Sequence, residues 1–141
     1  MKRFLLAVAL VTAPAALAGG EECHGGAQAA AAVNKVTVKQ VAEWAKTKAV
    51  TAVDANGKEV REKYGVIPGA VLLSSSGQFD VKELPSDKAS RLVFYCFDDR
   101  CTASESAAQR AQAHGYINVS VLPGGITAWI DGGQPKERPR S

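Results

Sequence analysis

The spacing of apolar residues predicts that helices and strands alternate along the chain. Thr37, with Gln40 three residues later, has the form of a helix-capping box, and the apolar residues that follow share one helical face, which predicts a helix over residues 38–46. The β-rich run 50–53 predicts a strand. The run 92–96 predicts the strongest strand, and because it does not alternate with polar residues it is typical of a strand buried on both faces of a parallel sheet.

Shorter segments extend this alternation. Thr102 and Glu105 form a second capping-box pattern, and Gly115 is a natural stop for the helix that they open. The remaining segments are strands predicted at 70–73 and 118–122, helices at 59–64 and 126–130, and a helical turn within 79–84. Alternating strands and helices favour an α/β fold in which helices cover both faces of a parallel sheet.

The first residues have the layout of an export signal. Lys2 and Arg3 form a positive start, residues 4–11 form an apolar run too short to span a bilayer, and Ala18 ends a stretch of small residues of the kind that a signal peptidase reads. We therefore expect a signal peptide over residues 1–18 and an exported protein, periplasmic or secreted, with no membrane anchor after cleavage.

The rest of the chain divides into three parts. Residues 19–34 are rich in Gly and Ala and are expected to form a flexible leader, residues 35–135 a single domain, and residues 136–141 a short basic tail. The formal charge of +3 falls to +1 once Lys2 and Arg3 are removed. Because nucleic acids and membrane surfaces select a clustered basic face, neither is expected as a partner.

Cysteine usage narrows the candidate chemistry. Cys23, Cys96 and Cys101 make an odd number, so at least one thiol is unpaired within the chain, and any of the three pairings is open in an oxidising compartment. Cys23 and His24 supply only two ligands within the leader, which falls short of a metal site. We expect no metal and no cofactor.

Cys96 is the strongest candidate for a functional residue. It ends the predicted central strand, and a helix begins about six residues later. Ligand sites of open α/β sheets lie beyond the carboxyl ends of the strands, where a loop that enters a helix turns backbone N–H groups inward. The N-terminal end of the helix dipole adds positive potential. We therefore expect the Cys96 thiol to ionise more easily than a free cysteine and to act as a nucleophile or persulfide carrier.

Several motifs, in this order, resemble those of a rhodanese domain. They are Asp54 after a strand, Ile-Pro-Gly-Ala at 67–70, the strand and cysteine at 92–96, Gly-Tyr and Val at 115–119, and Pro-Gly-Gly-Ile-Thr-Ala-Trp at 123–129. The resemblance covers residues 37–135, nearly the whole predicted domain. It implies a sheet of about five parallel strands flanked by helices on both faces.

The resemblance also implies a reaction and its residues. Cys96 would accept a sulfane sulfur from a small donor such as thiosulfate and pass it to a thiophilic acceptor, cyanide or a thiol. The loop residues Phe97, Asp98, Asp99, Arg100, Cys101 and Thr102 would bind the donor, with amide groups of 97–101 forming the cradle and Asp54 in a supporting role. The loop from Cys96 to Cys101 has six residues, which resembles the loop length of the sulfurtransferases. The loop of the related phosphatases is one residue longer.

The loop departs from the family pattern. An arginine usually stands where this chain has Cys101, and Arg100 comes one residue early. Asp98 and Asp99 add negative charge where an anionic donor approaches. Cys101 is a candidate resolving cysteine that would form a disulfide with Cys96, or else a small residue packed under the loop. A second hypothesis therefore stays open: a non-catalytic binding or redox-sensing module that uses a Cys96–Cys101 disulfide as a switch.

Overall fold

The structure is a computed structural model that describes residues 32–140 of the chain. The predicted signal peptide 1–18, most of the leader, and the pair Cys23 and His24 lie outside the described residues and stay predictions. Within 32–140 no helix combines the length and apolar character needed to cross a membrane.

Five parallel strands form one sheet at the centre of the described chain. In chain order the strands are β1 (Asn34–Lys35), β2 (Thr51–Asp54), β3 (Val71–Leu72), β4 (Leu92–Tyr95) and β5 (Val119–Val121). Their order across the sheet is β1-β5-β4-β2-β3, and every pairing is parallel. The predicted parallel α/β sheet is confirmed, with β4 in the middle position.

Four helices and one short turn connect the strands. The helices are α1 (Val38–Lys46), α2 (Lys58–Tyr64), α3 (Ala103–Ala113) and α4 (Gly125–Asp131), and a 3-10 turn spans Val81–Glu83. Residues of α3 pack on one face of the sheet, while residues of α1 and α4 pack on the other. Helices therefore cover both faces, as predicted.

The uninterrupted apolar run of β4 follows from its central place. Leu92 and Phe94 belong to the core on the α3 side, whereas Val93 and Tyr95 belong to the core on the side of α1 and α4. All four side chains are fully buried. Burial of each large apolar side chain stabilises the fold by roughly 1.5–3 kcal/mol. These side chains therefore hold β4 firmly in the sheet, and β4 fixes the position of Cys96, the residue that follows it.

The two predicted capping boxes have different outcomes. In α1 the Thr37 side chain accepts a hydrogen bond from the Gln40 backbone N–H, and Gln40 accepts from the Thr37 N–H at 2.9 Å, so this prediction is confirmed. In α3 the prediction is wrong, because Thr102 already has helix-like angles (φ −91°, ψ 0°) and makes no side-chain cap. Glu105 instead forms an exposed ion pair with Lys35 at 3.8 Å.

Both predicted boundaries of the domain shift outward. Asn34, assigned to the flexible leader, lies in β1 and pairs with Ser120 of β5. Glu137, assigned to the basic tail, forms an antiparallel bridge with Val66 through two backbone hydrogen bonds of 2.9 Å. A two-residue strand with exposed side chains has no apolar pattern, which is why β1 left no signal in the sequence.

Candidate active site

The backbone of Cys96 is held by the first turn of α4. The cysteine comes directly after β4 and is 1% exposed. The Ile126 N–H donates to the Cys96 carbonyl oxygen at 2.9 Å, and the Thr127 N–H donates to the Phe97 carbonyl oxygen at 3.2 Å. The free N–H groups at the start of α4 are thus used to fix the entrance of the loop.

Gly125 makes this close approach possible. It has a φ of +52°, and a Cβ atom at this position would overlap the carbonyl oxygen of Cys96 and come within 2.9 Å of the Phe97 carbonyl carbon. Only glycine combines that backbone angle with that contact. Gly125, the second glycine of the motif at 123–129, therefore lets α4 lie against the cysteine.

Three oxygen atoms surround the sulfur of Cys96. Its Sγ lies 3.0 Å from the carbonyl oxygen of Cys101 and 3.8 Å from the carbonyl oxygen of Asp98, both of which accept a hydrogen bond from the thiol. The Ser104 hydroxyl, in the first turn of α3, lies 3.4 Å from Sγ. Two carbonyl groups directed at the sulfur favour the protonated thiol.

The expectation of an easily ionised thiol is wrong for this loop conformation. Burial, followed by the hydrogen bond with the Cys101 side chain, raises the pKa of Cys96 to about 11. The Ser104 side chain and backbone act in the opposite direction and lower it. Proximity to the start of α3 does not outweigh desolvation of the thiol. Carbonyl oxygens also face the sulfur at positions where amide groups were expected.

Asp98 accounts for the missing amide groups. Its Oδ1 accepts from the Arg100 N–H at 3.1 Å, and its carbonyl oxygen accepts from the Cys101 N–H at 3.3 Å. The Arg100 guanidinium pairs with Asp98 Oδ2 at 3.0 Å on the surface, and its hydrogen bond lowers the pKa of the Asp98 carboxyl. Arg100 and Cys101 therefore do not form the predicted amide cradle around the sulfur, since the Asp98 turn takes both of their N–H groups.

Cys101 contacts Cys96 without being bonded to it. Cys96 and Cys101 are both free thiols, Cys96 buried and Cys101 partly exposed. Cys101 lines a small cleft of about 60 Å³ together with the loop aspartates, Lys35 and Ser104. The cleft mixes both signs of charge and opens on the Cys101 side of the loop.

The remaining predicted loop residues lie at its two ends. The ring of Phe97 packs against Tyr64 of α2, with centroids 4.8 Å apart. Asp99 is exposed at the rim of the cleft. Thr102 is exposed as well, and its carbonyl oxygen accepts from the Ser106 N–H inside α3. Phe97 and Thr102 thus anchor the loop to the helices on either side of it.

Asp54 braces the loop that follows β2. It is fully buried, and its Oδ1 accepts from the Asn56 N–H at 2.7 Å and from Arg61 Nε at 3.1 Å. Arg61 also donates to the carbonyl oxygens of Asp54 and Leu73. This network ties β2 to α2 and to the residue after β3, beside the strand that carries Cys96.

Ser104 is the site residue that sequence reasoning missed. Its hydroxyl is the only side-chain oxygen found against the Cys96 sulfur within the described residues, and the side chain is 5% exposed. Its position in the first turn of the helix after the loop was the available signal, because that turn faces the end of β4. In the part of the chain that the structure describes, no group of three or more His, Cys, Asp or Glu is placed to hold a metal ion.

Comparison with known proteins agrees with this architecture. The family model of the rhodanese-like domain matches residues 37–131. A Rhodopseudomonas palustris protein of unknown function, described as a possible tyrosine phosphatase, is 28% identical, with a TM-score of 0.62 over 74% of this chain and 85% of its own. No curated protein is similar enough to this chain to count as a match.

Two further solved structures share the fold. A rhodanese-related protein from Thermoplasma volcanium is 19% identical, with a TM-score of 0.57, over 75% of this chain and 99% of its own. SseA from Escherichia coli, a 3-mercaptopyruvate sulfotransferase, is 20% identical, with a TM-score of 0.62; 78% of this chain matches about half, 52%, of that one.

Proposed function

This chain belongs to the rhodanese-like domain family, and from its site we propose that it is a sulfurtransferase that carries sulfane sulfur as a persulfide on Cys96. The family is of the sulfurtransferase type. The observation that supports the proposal most is a single buried cysteine at the carboxyl end of the central strand, enclosed by a short loop that α4 fixes from behind.

The proposed reaction has two steps. The Cys96 thiolate attacks the outer sulfur of thiosulfate, the S–S bond of the donor breaks, and sulfite leaves with its electron pair. Cyanide or a thiolate then attacks the outer sulfur of the persulfide, and Cys96 leaves as a thiolate again. The Ser104 hydroxyl at 3.4 Å is placed to donate to the sulfur anion in both steps.

We propose that the loop conformation in this structure is the resting form of the enzyme, with the Cys96 thiol protonated. With a pKa of about 11, the Cys96 thiol holds its proton at neutral pH. Loading therefore requires the carbonyl groups of Asp98 and Cys101 to turn away from the sulfur as the donor arrives. We propose this loop movement as the first event of the cycle.

Sulfur loading on Cys96 tests the proposal. After incubation with thiosulfate and alkylation, the tryptic peptide 92–100, which contains Cys96 alone among the cysteines, should gain one sulfur atom. Cys96→Ala should abolish thiocyanate formation from cyanide, while Cys23→Ala serves as the matched control and should retain it. The absence of added sulfur on this peptide with thiosulfate or polysulfide would refute the proposal.

A second function is favoured by the contact between the two thiols. The free Cys96 and Cys101 interact, and the one arginine of the loop is paired with Asp98 at the surface, so a redox-sensing module with a Cys96–Cys101 disulfide is the alternative. A free-thiol count on the isolated protein separates the two: one labelled cysteine of three, with 96 and 101 bridged, favours the switch.

Phosphate-ester hydrolysis is the reaction suggested by the description of the Rhodopseudomonas relative. The six-residue loop favours sulfur over the larger phosphate. An assay with p-nitrophenyl phosphate, run beside the thiosulfate assay, should therefore show no hydrolysis above the Cys96→Ala background.

We also propose that the protein is exported and acts on small partners outside the cytoplasm. The layout of residues 1–18 supports export. N-terminal sequencing of the protein from cell fractions should find Gly19 as the first residue. An intact Met1 in the protein of the cytoplasmic fraction would contradict it.

A further inference from the structure

The two loop cysteines differ in their access to solvent. Cys96 is 1% exposed, whereas Cys101 is partly exposed and lines the cleft beside the loop. The cleft, at about 60 Å³, is far smaller than the several hundred Å³ that a peptide-sized ligand fills. A small anion such as cyanide fits such a space, but the thiol of a peptide or protein meets Cys101 first.

The two residues are also in direct contact. The carbonyl oxygen of Cys101 lies 3.0 Å from Cys96 Sγ, and the Cys101 side chain interacts with the same sulfur. An additional sulfur atom on Cys96 would extend from this sulfur into the surroundings that Cys101 helps to form. Cys101 therefore lies next to the outer sulfur of a Cys96 persulfide and is also accessible from the surface.

We propose that Cys101 is a second catalytic cysteine, a relay that takes the sulfane sulfur from Cys96 and hands it to thiol acceptors at the surface. This role rests on the proposed sulfurtransferase function. The Cys101 sulfur attacks the outer sulfur of the Cys96 persulfide; the S–S bond to Cys96 breaks and an S–S bond to Cys101 forms. The proton of the Cys101 thiol passes to the departing Cys96 sulfur, so the step consumes no oxidant or reductant.

The sequence offers a direct way to follow the sulfur. Trypsin cuts after Arg91, Arg100 and Arg110, so Cys96 and Cys101 fall in separate peptides, 92–100 and 101–110. The full chain is loaded with thiosulfate, freed of donor, mixed with glutathione and quenched with iodoacetamide at intervals. The extra sulfur should be found first on peptide 92–100 and then on peptide 101–110 before it leaves the protein.

Cys101→Ser distinguishes transfer through Cys101 from transfer directly from Cys96. In this variant the sulfur should still load on Cys96, and the ratio of the transfer rate to glutathione over the transfer rate to cyanide should fall at least about tenfold. A change in the loop or in the Cys96 pKa affects both acceptors and cancels in this ratio. Cys23→Ser, the cysteine-matched control, should behave as the wild type with both acceptors.

Three outcomes would overturn the relay. The first is a wild-type ratio of the two transfer rates in Cys101→Ser, and the second is a wild-type peptide 101–110 that never carries the extra sulfur. The third is a Cys96–Cys101 disulfide formed with release of one sulfide, which assigns Cys101 to resolution instead. A failure of sulfurtransfer itself looks different, because peptide 92–100 then gains no sulfur in any variant.

Discussion

Removal of the Ser104 hydroxyl should make the Cys96 thiol still harder to ionise. The hydroxyl lies 3.4 Å from Sγ in a buried site, and its hydrogen bond lowers the pKa that burial raises to about 11. In Ser104→Ala the thiolate loses this donor, whereas the carbonyl groups that stabilise the protonated thiol stay in place. The variant therefore increases the fraction of Cys96 that is protonated.

The size of the effect follows from the charge on the acceptor. A hydrogen bond to a charged group contributes about 1.5 kcal/mol, and one pKa unit corresponds to about 1.4 kcal/mol. The pKa of Cys96 should therefore rise by about one unit in Ser104→Ala. At any pH well below the pKa, the thiolate fraction and the alkylation rate should fall about tenfold.

Peptide-resolved alkylation measures this change. The rate of iodoacetamide labelling of peptide 92–100 is compared between wild type and Ser104→Ala at one mildly alkaline pH. Ser106→Ala removes an exposed hydroxyl two residues further along α3 and should leave the rate unchanged. Methyl methanethiosulfonate, a thiolate reagent of different shape, should show the same ratio of rates between the two proteins, because both proteins need the same loop opening and differ only in the ionisation of the thiol. An equal or faster rate in Ser104→Ala would refute the reasoning.

Four further predictions test other parts of the site. Gly125→Ala should lower the free energy of unfolding in urea by more than roughly 2 kcal/mol, because a Cβ at a φ of +52° overlaps the Cys96 carbonyl oxygen. Arg61→Ala should cost about 3 kcal/mol in the same assay, since it leaves the buried Asp54 carboxylate without its cation. Asp98→Asn should speed thiosulfate loading, measured on peptide 92–100, because it removes negative charge beside the loop. In the wild type, the loading rate should rise about tenfold per pH unit between about pH 7 and 9. With a Cys96 pKa of about 11, the thiolate is a small fraction over this range, and that fraction increases about tenfold with each pH unit.

Matched changes on the surface control these experiments. Lys58→Ala removes an exposed charge from the same helix as Arg61 and should change the unfolding free energy by no more than about 0.5 kcal/mol. Asp131→Asn removes an exposed carboxylate from α4 and should leave the loading rate as it is. Unchanged stability of Gly125→Ala would contradict the first prediction, and equal stability of Arg61→Ala and Lys58→Ala would contradict the second. Slower thiosulfate loading of Asp98→Asn would contradict the third, and a loading rate that does not change with pH would contradict the fourth.

The choice between catalysis and redox sensing depends on one loop of six residues. The fold is that of the rhodanese-like domain family, and within this fold Asp98 and Cys101 determine which atoms surround the Cys96 sulfur. A protonated resting thiol next to a second thiol suits a protein whose cysteine reacts only after the loop opens. The sulfur-tracking experiment reports on both cysteines at once and separates transfer, relay and disulfide formation.

Local sequence signals were sufficient for much of the fold. The apolar run of β4, the capping box at Thr37 and the stop at Gly115 each depend on residues a few positions apart, and the structure has α1 over the predicted residues 38–46. Alternation of strands and helices was enough to predict a parallel sheet covered on both faces, because short right-handed connections leave few other arrangements. The place of Cys96 at the end of the central strand followed from the same pattern.

Tertiary contacts decided the chemistry around the sulfur. The sequence places a cysteine, a short loop and a helix start in order, but it does not say whether amide or carbonyl groups face the thiol. That orientation depends on the Asp98 turn and on α4, whose N–H groups reach Cys96 and Phe97 from residues 126 and 127. β1 likewise exists only by pairing with β5, far along the chain. The sequence alone determined where the thiol lies, because strand and helix patterns are local. The folded loop decided its protonation, because burial comes from packing against distant residues and the backbone turn decides which oxygen atoms face the sulfur.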